Sequence, residues 1–191
     1  MKIKRLLSVF LTIITLANFG QDIENIETER PDQGNCTSII PAGKFQIENG
    51  IYCDSFSQIN NFFLRIGTGF KTEVRILIDA SISKHQTGFL PLGISVKRSI
   101  CAQHKWIPAT SLAGYYYIGS LASLNYYKSI NNYSIVGIFQ NQLDKHWSIS
   151  YNLGNSEFKK NVMYTASCCF APSKKITLFR SEEHTSELQS R

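Results

Sequence analysis

Apolar and polar residues alternate along most of the chain between residues 44 and 179, and this constrains the fold more than any other feature. A period of two residues sends alternate side chains to opposite faces of a strand. The clearest run spans residues 72–80, where Val74, Ile76 and Ile78 share one face and the charged Glu73, Arg75 and Asp79 share the other. Helical periodicity does not persist for more than a few residues. The pattern predicts an all-β fold.

Nine strand segments are expected, separated by short turns that contain Gly, Asn, Ser or Lys. They are residues 44–51, 61–66, 72–80, 89–99, 106–120, 133–140, 146–153, 161–171 and 175–179. We predict an antiparallel transmembrane β-barrel that is incomplete, with about nine strands present. Because bacterial single-chain barrels have even strand numbers and the ninth segment is too short to cross, the natural gene is expected to continue with further strands.

Composition restricts the class of protein. The charged fraction is 18%, aromatic residues make up 12% and hydrophobic residues 43%, which is too apolar for a disordered chain. Mean hydropathy is −0.13. Beyond residue 20 no apolar run approaches the roughly 18 residues that a membrane helix needs. A transmembrane β-barrel is moderately polar overall and remains compatible with these values.

The two ends differ from the rest of the chain. Residues 1–20 combine Lys2, Lys4 and Arg5 with an apolar stretch, which is typical of a cleaved signal peptide. Residues 21–43 are expected to form a periplasmic N-terminal segment before the partial barrel at 44–179. Residues 180–191, RSEEHTSELQSR, match the in-frame translation of a common sequencing-library adapter. We expect this stretch to be an artefact without function.

Nucleic acid is not an expected partner. The chain has 20 Lys and Arg against 14 Asp and Glu, and setting aside five bases and three acids in the two terminal stretches leaves 15 against 11, a net charge of +4. The remaining bases are scattered rather than arranged in a stripe that tracks a nucleic-acid backbone.

Catalytic, metal and cofactor sites are not expected either. His85, His104 and His146 lack metal-ligand spacing, and Cys101 with His104 lies in a turn without a third residue to orient the pair. Five cysteines are unusual for an exported chain. Consecutive Cys168 and Cys169 point to opposite faces of a strand, whereas a Cys36–Cys53 bridge remains open as an alternative.

Several segments resemble a known family. The motifs ETERPDQ at 27–33 and IPAGKFQIENGI at 40–51 are similar to the N-terminal signature of the outer-membrane transporter family grouped with proteins of the meta-pathway of phenol degradation. The likeness continues through FLRIGTGFKTEVRILID, GFLPLGISVKRS, WIPATSLAGYYYIGS and LDKHWSISYNLG. Residues 34–36 and the GTGF turn depart from the family pattern. The resemblance implies a porin-like barrel that lets small, hydrophobic or aromatic, molecules pass, and it implies no catalytic residues.

The expected location is therefore the bacterial outer membrane, reached by export. Connections after odd-numbered strands are somewhat longer than those after even-numbered strands, as expected for outer loops and periplasmic turns. Expected partners are outer-membrane lipid, a small-molecule solute and, during biogenesis, the barrel-insertion machinery. Arg65, Glu73, Arg75 and Asp79 are the predicted lumen-lining residues.

Two alternatives remain open. One is a structural barrel whose lumen is filled by side chains and which transports nothing. The other is a secreted soluble β-sandwich, which would bury Val74, Ile76 and Ile78 in a core between two sheets.

Overall fold

The computed structural model describes residues 35–53, 57–84, 86–127, 131–156, 161–173 and 176–187. For residues 156, 161, 173 and 176–187 only the backbone is described. The predicted signal peptide at 1–20, the motif at 27–33 and His85 lie outside the described residues.

The described chain forms a single antiparallel sheet that curls into a half-barrel, which confirms the predicted all-β fold and incomplete barrel. Nine strands follow one another across the sheet, and the short β4 pairs with β3 beside this path. The strands are β1 Phe45–Cys53, β2 Ser57–Gly69, β3 Thr72–Ser83, β4 Thr87–Phe89, β5 Leu92–Cys101, β6 Ala109–Ile118, β7 Asn132–Gln142, β8 Trp147–Ser156, β9 Asn161–Ser173 and β10 Ile176–Glu187. Two single turns of 3-10 helix, Gly119–Leu121 and Leu124–Tyr126, lie between β6 and β7.

One predicted strand is divided. The segment 89–99 was expected to be continuous, but the chain breaks at Leu90 and Pro91 between β4 and β5. Ala80 pairs with Phe89, and Leu77 pairs with Gly93. The chain therefore advances four residues from Phe89 to Gly93, whereas β3 advances only three between the partners of these residues. The extra residue is a bulge, and Pro91 supports it because proline has no N–H for the ladder.

The last strand is longer than predicted. It was expected to end at Phe179, but β10 continues to Glu187, which pairs with Asn161 of β9. The added length comes from residues 180–187, so the expectation that the predicted segment 175–179 is too short to cross a membrane stays a prediction. The edge of β9 offers unpaired backbone N–H and C=O groups, and an extended segment can pair with them whatever its side chains. The adapter interpretation of residues 180–191 rests on their sequence and stays a prediction.

The two faces of the sheet have opposite polarity. Adjacent strands align one row of apolar residues on the convex face, namely Ile47, Leu64, Ile76, Ile94, Tyr116 and Tyr133. The neighbouring row on the concave face is polar and consists of Gln46, Arg65, Arg75, Ser95, Tyr115 and Ser134. The faces predicted for β3 are the observed ones, since Arg75 is fully buried and Ile78 is 37% exposed. A smaller apolar cluster of Ala113, Val136 and Ile138 is also buried on the concave side.

Candidate functional site

Five charged side chains are buried together on the concave face, and we call them the concave cluster. Glu48 is 6% exposed. The other four side chains are fully buried and belong to Arg65, Glu73, Arg75 and Lys97. They come from β1, β2, β3 and β5, so the register of four neighbouring strands brings them together. A buried charge is strongly unfavourable unless it is paired and hydrogen-bonded.

Glu73 is the centre of the concave cluster. Arg65 donates to both of its carboxylate oxygens, from Nε to Oε1 at 3.1 Å and from Nη2 to Oε2 at 3.0 Å. Arg75 donates from Nε to Oε1 at 2.6 Å, and Nζ of Lys97 lies 3.9 Å from the same oxygen. Arg65 also reaches Glu48 from Nη1 at 3.2 Å. The bidentate contact fixes the orientation of the Arg65 and Glu73 side chains and the distance between them, because the planar guanidinium matches the geometry of a carboxylate.

Residues 35–41 lie across the concave cluster, and we call them the inner segment. The carbonyl oxygen of Ser38 accepts hydrogen bonds from Arg65 Nη2 at 3.2 Å and from Lys97 Nζ at 2.7 Å. The backbone N–H of Ile40 donates to Glu73 Oε2 at 2.8 Å. The cluster therefore binds backbone groups of a segment that is distant in sequence.

The first residues of the inner segment contact the middle of the sheet. The Oδ1 atom of Asn35 accepts hydrogen bonds from Arg75 Nη1 at 3.1 Å and from the Tyr115 hydroxyl at 2.6 Å. The Thr37 hydroxyl donates to Gln140 Oε1 at 2.7 Å, and Ser111 Oγ donates to the Thr37 carbonyl at 2.9 Å. These contacts tie the segment to strands β3, β6 and β7.

Gly67 lies where the end of the inner segment approaches the backbone of β2 closely. Its N–H donates to the carbonyl of Lys44 and its own carbonyl accepts from Gly43 N–H, each at 2.9 Å. A Cβ atom at this position would overlap the carbonyl oxygens of Ile40 and Pro41. Glycine is therefore required for this close backbone approach.

Three of the four predicted lumen-lining residues meet in the concave cluster, namely Arg65, Glu73 and Arg75. Asp79 lies farther along β3 and is half-buried, where it accepts a hydrogen bond from Asn61 Nδ2 at 2.7 Å. Their role in lining a lumen stays a prediction.

Sequence reasoning missed Glu48, Lys97 and the inner segment. The alternation carried a signal for the two charged residues, because Glu48 follows the convex-facing Ile47 and Lys97 follows the convex-facing Val96. No local signal marked the inner segment, since Thr37 and its partner Gln140 are 103 residues apart.

The cysteines and histidines do not assemble into a site within the part of the chain that the structure describes. Cys36 and Cys53 are not bridged, and Cys36 Sγ instead lies 2.8 Å from Ser38 Oγ. Cys101 Sγ contacts the Pro108 carbonyl at 3.7 Å. Among the described residues no three His, Cys, Asp or Glu side chains are grouped to hold a metal ion. The same residues contain no helix with the length and apolar character needed to cross a membrane.

Comparison of the chain with family models, with curated proteins and with solved structures found no match. The fold defines the class of the molecule as a curled antiparallel half-barrel with a charged inner face. Membership of the outer-membrane transporter family stays a prediction from the motifs quoted above.

Proposed function

We propose that this chain is part of an outer-membrane β-barrel through which small solutes, hydrophobic or aromatic, pass. The observation that carries the proposal is the inverted polarity of the sheet. Arg65, Arg75 and Lys97 are fully buried, whereas Ile47 is 55% and Ile94 39% exposed. A water-soluble barrel places apolar groups inside, whereas an outer-membrane barrel turns them to lipid and keeps a polar interior.

The extent of the convex apolar surface supports lipid contact. Further exposed residues on this face include Phe45 at 54%, Val96 at 49%, Leu112 at 47%, Ile135 at 54% and Leu153 at 55%. They lie on five different strands, so the surface runs across the sheet. Contiguous apolar patches of this kind are rare on monomeric soluble proteins and mark interaction with a partner or a membrane.

Exposed aromatic residues at both ends of the sheet give further support. Phe70 is 92% and Trp106 90% exposed, and both lie in turns at the end where β2 and β5 finish. Tyr52 and Tyr127, each 55% exposed, lie at the opposite end. Aromatic girdles at both interfaces are typical of outer-membrane barrels.

The length of the strands also suits a crossing of the membrane. Apart from β4, the strands contain 9 to 13 residues. A tilted strand needs about 9–11 residues to cross the hydrocarbon core. Because β1 and β10 are the two edges of the sheet, the proposal requires that further strands pair with these edges in the membrane.

A specific observation favours the non-transporting barrel as a second candidate. The inner segment and the charged side chains bond to one another across the concave face, which is how a filled lumen would be built. The two functions share a location and differ only in solute flux.

Two experiments test the proposal in sequence. Membranes from cells that express the full chain are washed with carbonate, and we expect the protein to stay in the pellet; release into the supernatant would contradict the membrane location. The purified protein is then reconstituted into liposomes, and swelling is measured with small sugars and aromatic alcohols. Flux above that of empty liposomes is expected, and no flux from inserted protein would favour the non-transporting barrel.

A further inference from the structure

Three turns at one end of the sheet each contain an exposed lysine, and we call them the basic turns. They are residues 70–71 between β2 and β3, 102–108 between β5 and β6, and 143–146 between β7 and β8. Each lysine lies within two residues of an exposed aromatic side chain, and the pairs are Lys71 with Phe70, Lys105 with Trp106, and Lys145 with Trp147. Aromatic rings favour the headgroup level of a membrane, and a lysine can extend its ammonium group from there into water.

The first basic turn has an unusual backbone. Within the described part of the chain, the residues other than glycine with positive φ are Phe70 at 50°, Lys71 at 55° and Lys105 at 53°. Gly69 pairs with Thr72, so Phe70 and Lys71 form a two-residue turn. When φ is positive at both positions of such a turn, Asn-Gly is the preferred sequence. Phe70 and Lys71 therefore occupy a conformation that suits smaller residues.

The second basic turn repeats this feature. The backbone groups of His104 and Ile107 exchange hydrogen bonds of 3.1 and 2.9 Å. Lys105 and Trp106 therefore form the two-residue tip, and a positive φ at the first position favours glycine. In both turns a lysine and an aromatic residue stand where the local preference is for other residues. Such departures are expected at functional sites.

The basic turns carry a net positive charge. Their charged residues are three lysines and one acid, Asp144, which gives a formal charge of +2 with histidine neutral. The Asp144 carboxylate accepts hydrogen bonds from the backbone N–H groups of His146 and Trp147. Among the described residues, none forms an ion pair with the ammonium group of any of the three lysines. These ammonium groups can therefore bind an external anion.

Hydrogen bonds hold the basic turns side by side. The Lys71 carbonyl accepts from the Ser99 N–H, near the end of β5, at 2.9 Å. Gln103 in the second turn exchanges two hydrogen bonds with the backbone of Gln142, the last residue of β7, at 2.9 and 2.6 Å. The three lysines thus belong to one connected surface.

We infer that the basic turns bind the phosphate groups of anionic phospholipids where the convex face meets the membrane surface. The lysine ammonium is a compact charge that binds phosphate well. The turns contain two, seven and four residues, so their lysines stay near the strand ends, at the level of the exposed rings. The inference rests on the membrane location in the proposed function and adds the class of lipid that this end of the sheet recognises.

The two tryptophans of the chain make a direct test possible. Trp106 and Trp147 both lie at this end of the sheet, so their fluorescence reports the lipids around the basic turns. The full chain is folded into vesicles of phosphatidylcholine mixed with phosphatidylglycerol, and one of the two lipids is brominated. Quenching of the tryptophan fluorescence then gives the relative binding constant of the two lipids, and we expect a preference for phosphatidylglycerol that weakens at high salt.

The lysine beside Trp106 is the first to be changed. Lys105→Gln should lower the preference for phosphatidylglycerol by roughly fivefold, the effect of one lysine near an anionic surface. The matched control is Lys84→Gln, which removes the same charge from an exposed residue at the opposite end of the sheet and should leave the preference unchanged. Lys105→Arg should retain it, and circular dichroism verifies the strand content of each variant.

A second variant separates lipid binding from a structural role. Phe70→Asn combined with Lys71→Gly gives the first turn its preferred sequence, so the free energy of unfolding should rise while the preference for phosphatidylglycerol falls. A turn that only connects β2 to β3 would gain stability without any change in lipid preference, and this result would contradict the inference.

The outcomes separate the inference from the proposed function. Release by carbonate from both pure phosphatidylcholine and mixed vesicles would contradict the membrane location and the inference with it. Stable insertion with equal binding of the two lipids, or with equal losses in Lys105→Gln and Lys84→Gln, would overturn the inference alone. Stronger displacement of brominated phosphatidylglycerol by lipopolysaccharide than by unlabelled phosphatidylglycerol would overturn the choice of a phospholipid. The expected lipid preference without solute flux would support the inference and favour the non-transporting barrel.

Discussion

Glu73 and Arg75 lie two residues apart on β3, and Arg75 Nε donates a hydrogen bond to Glu73 Oε1 at 2.6 Å. Both side chains are fully buried, so this contact replaces water for each of them. It also turns Nη1 of Arg75 toward Asn35 Oδ1, at 3.1 Å, and toward the Tyr115 hydroxyl, at 3.0 Å. The pair thus links the charged centre to the inner segment.

The first prediction concerns the centre of the concave cluster. Glu73→Ala leaves Arg65, Arg75 and Lys97 buried without their shared carboxylate, and removal of one partner of a buried ion pair costs about 3–5 kcal/mol. We expect a correspondingly lower free energy of unfolding in urea, measured in detergent. Asp79→Ala on the same strand is the control and should have a smaller effect, because among the described residues the Asp79 carboxylate has a single hydrogen bond, from Asn61 Nδ2. Equal losses would contradict the central role of Glu73.

The second prediction tests lipid contact. Ile94 is 39% exposed on the convex face near the middle of the sheet, and Phe70 is 92% exposed in a turn at its end. Arginine on the lipid face costs about 2–4 kcal/mol at the bilayer midplane and about 0–1 kcal/mol near the interface. Ile94→Arg should therefore reduce insertion into liposomes, and Phe70→Arg should not. If both variants insert as well as the original chain, the convex face does not contact lipid.

The third prediction concerns the inner segment. Gly67→Ala places a Cβ against the carbonyl oxygens of Ile40 and Pro41, so the inner segment must move away from β2. Overpacking of this kind costs typically about 1–3 kcal/mol. Gly114→Ala is the matched control, because nothing lies within 4 Å of a Cβ built there.

Cys36 reports the movement of the inner segment when the other four cysteines are replaced by serine. Reaction of Cys36 with a maleimide should be faster in the Gly67→Ala variant than in the Gly114→Ala variant. The same rate in both would show that the segment does not depend on the close approach at Gly67.

The fourth prediction is a pH dependence in the turn between β7 and β8. The backbone N–H groups of His146 and Trp147 donate to Asp144 Oδ1 at 2.6 and 2.8 Å, and they lower the pKa of this carboxyl from its ordinary value of 3.8. A lowered pKa in the folded state means that ionised Asp144 stabilises the turn above its unfolded pKa. This contribution is lost as the pH falls through the folded pKa.

Nuclear magnetic resonance of the Asp144 carboxyl should give a titration midpoint below 3.8. Asp144→Asn keeps an oxygen acceptor for the two N–H groups and should remove this part of the pH dependence. A midpoint at or above the ordinary value would contradict the turn geometry.

The local pattern predicted which residues of each strand share a face. Period-two alternation depends only on backbone geometry, so the inward placement of Arg65 and the outward placement of Ile78 could be predicted from neighbouring residues. The same rule would have found Glu48 and Lys97. The bulge at Leu90 was less predictable, because Pro91 signals an interruption without fixing how the ladder continues beyond it.

The sequence by itself determined the all-β class and the polarity of the two faces, because both follow from interactions within a few residues of the chain. Only the tertiary structure decided that Arg65 and Lys97 share the Ser38 carbonyl and that Thr37 reaches Gln140, 103 residues away. Such contacts depend on the register between strands and on the path of the inner segment across them. Those features are set by the combined burial and hydrogen bonding of many distant groups, which no local pattern records.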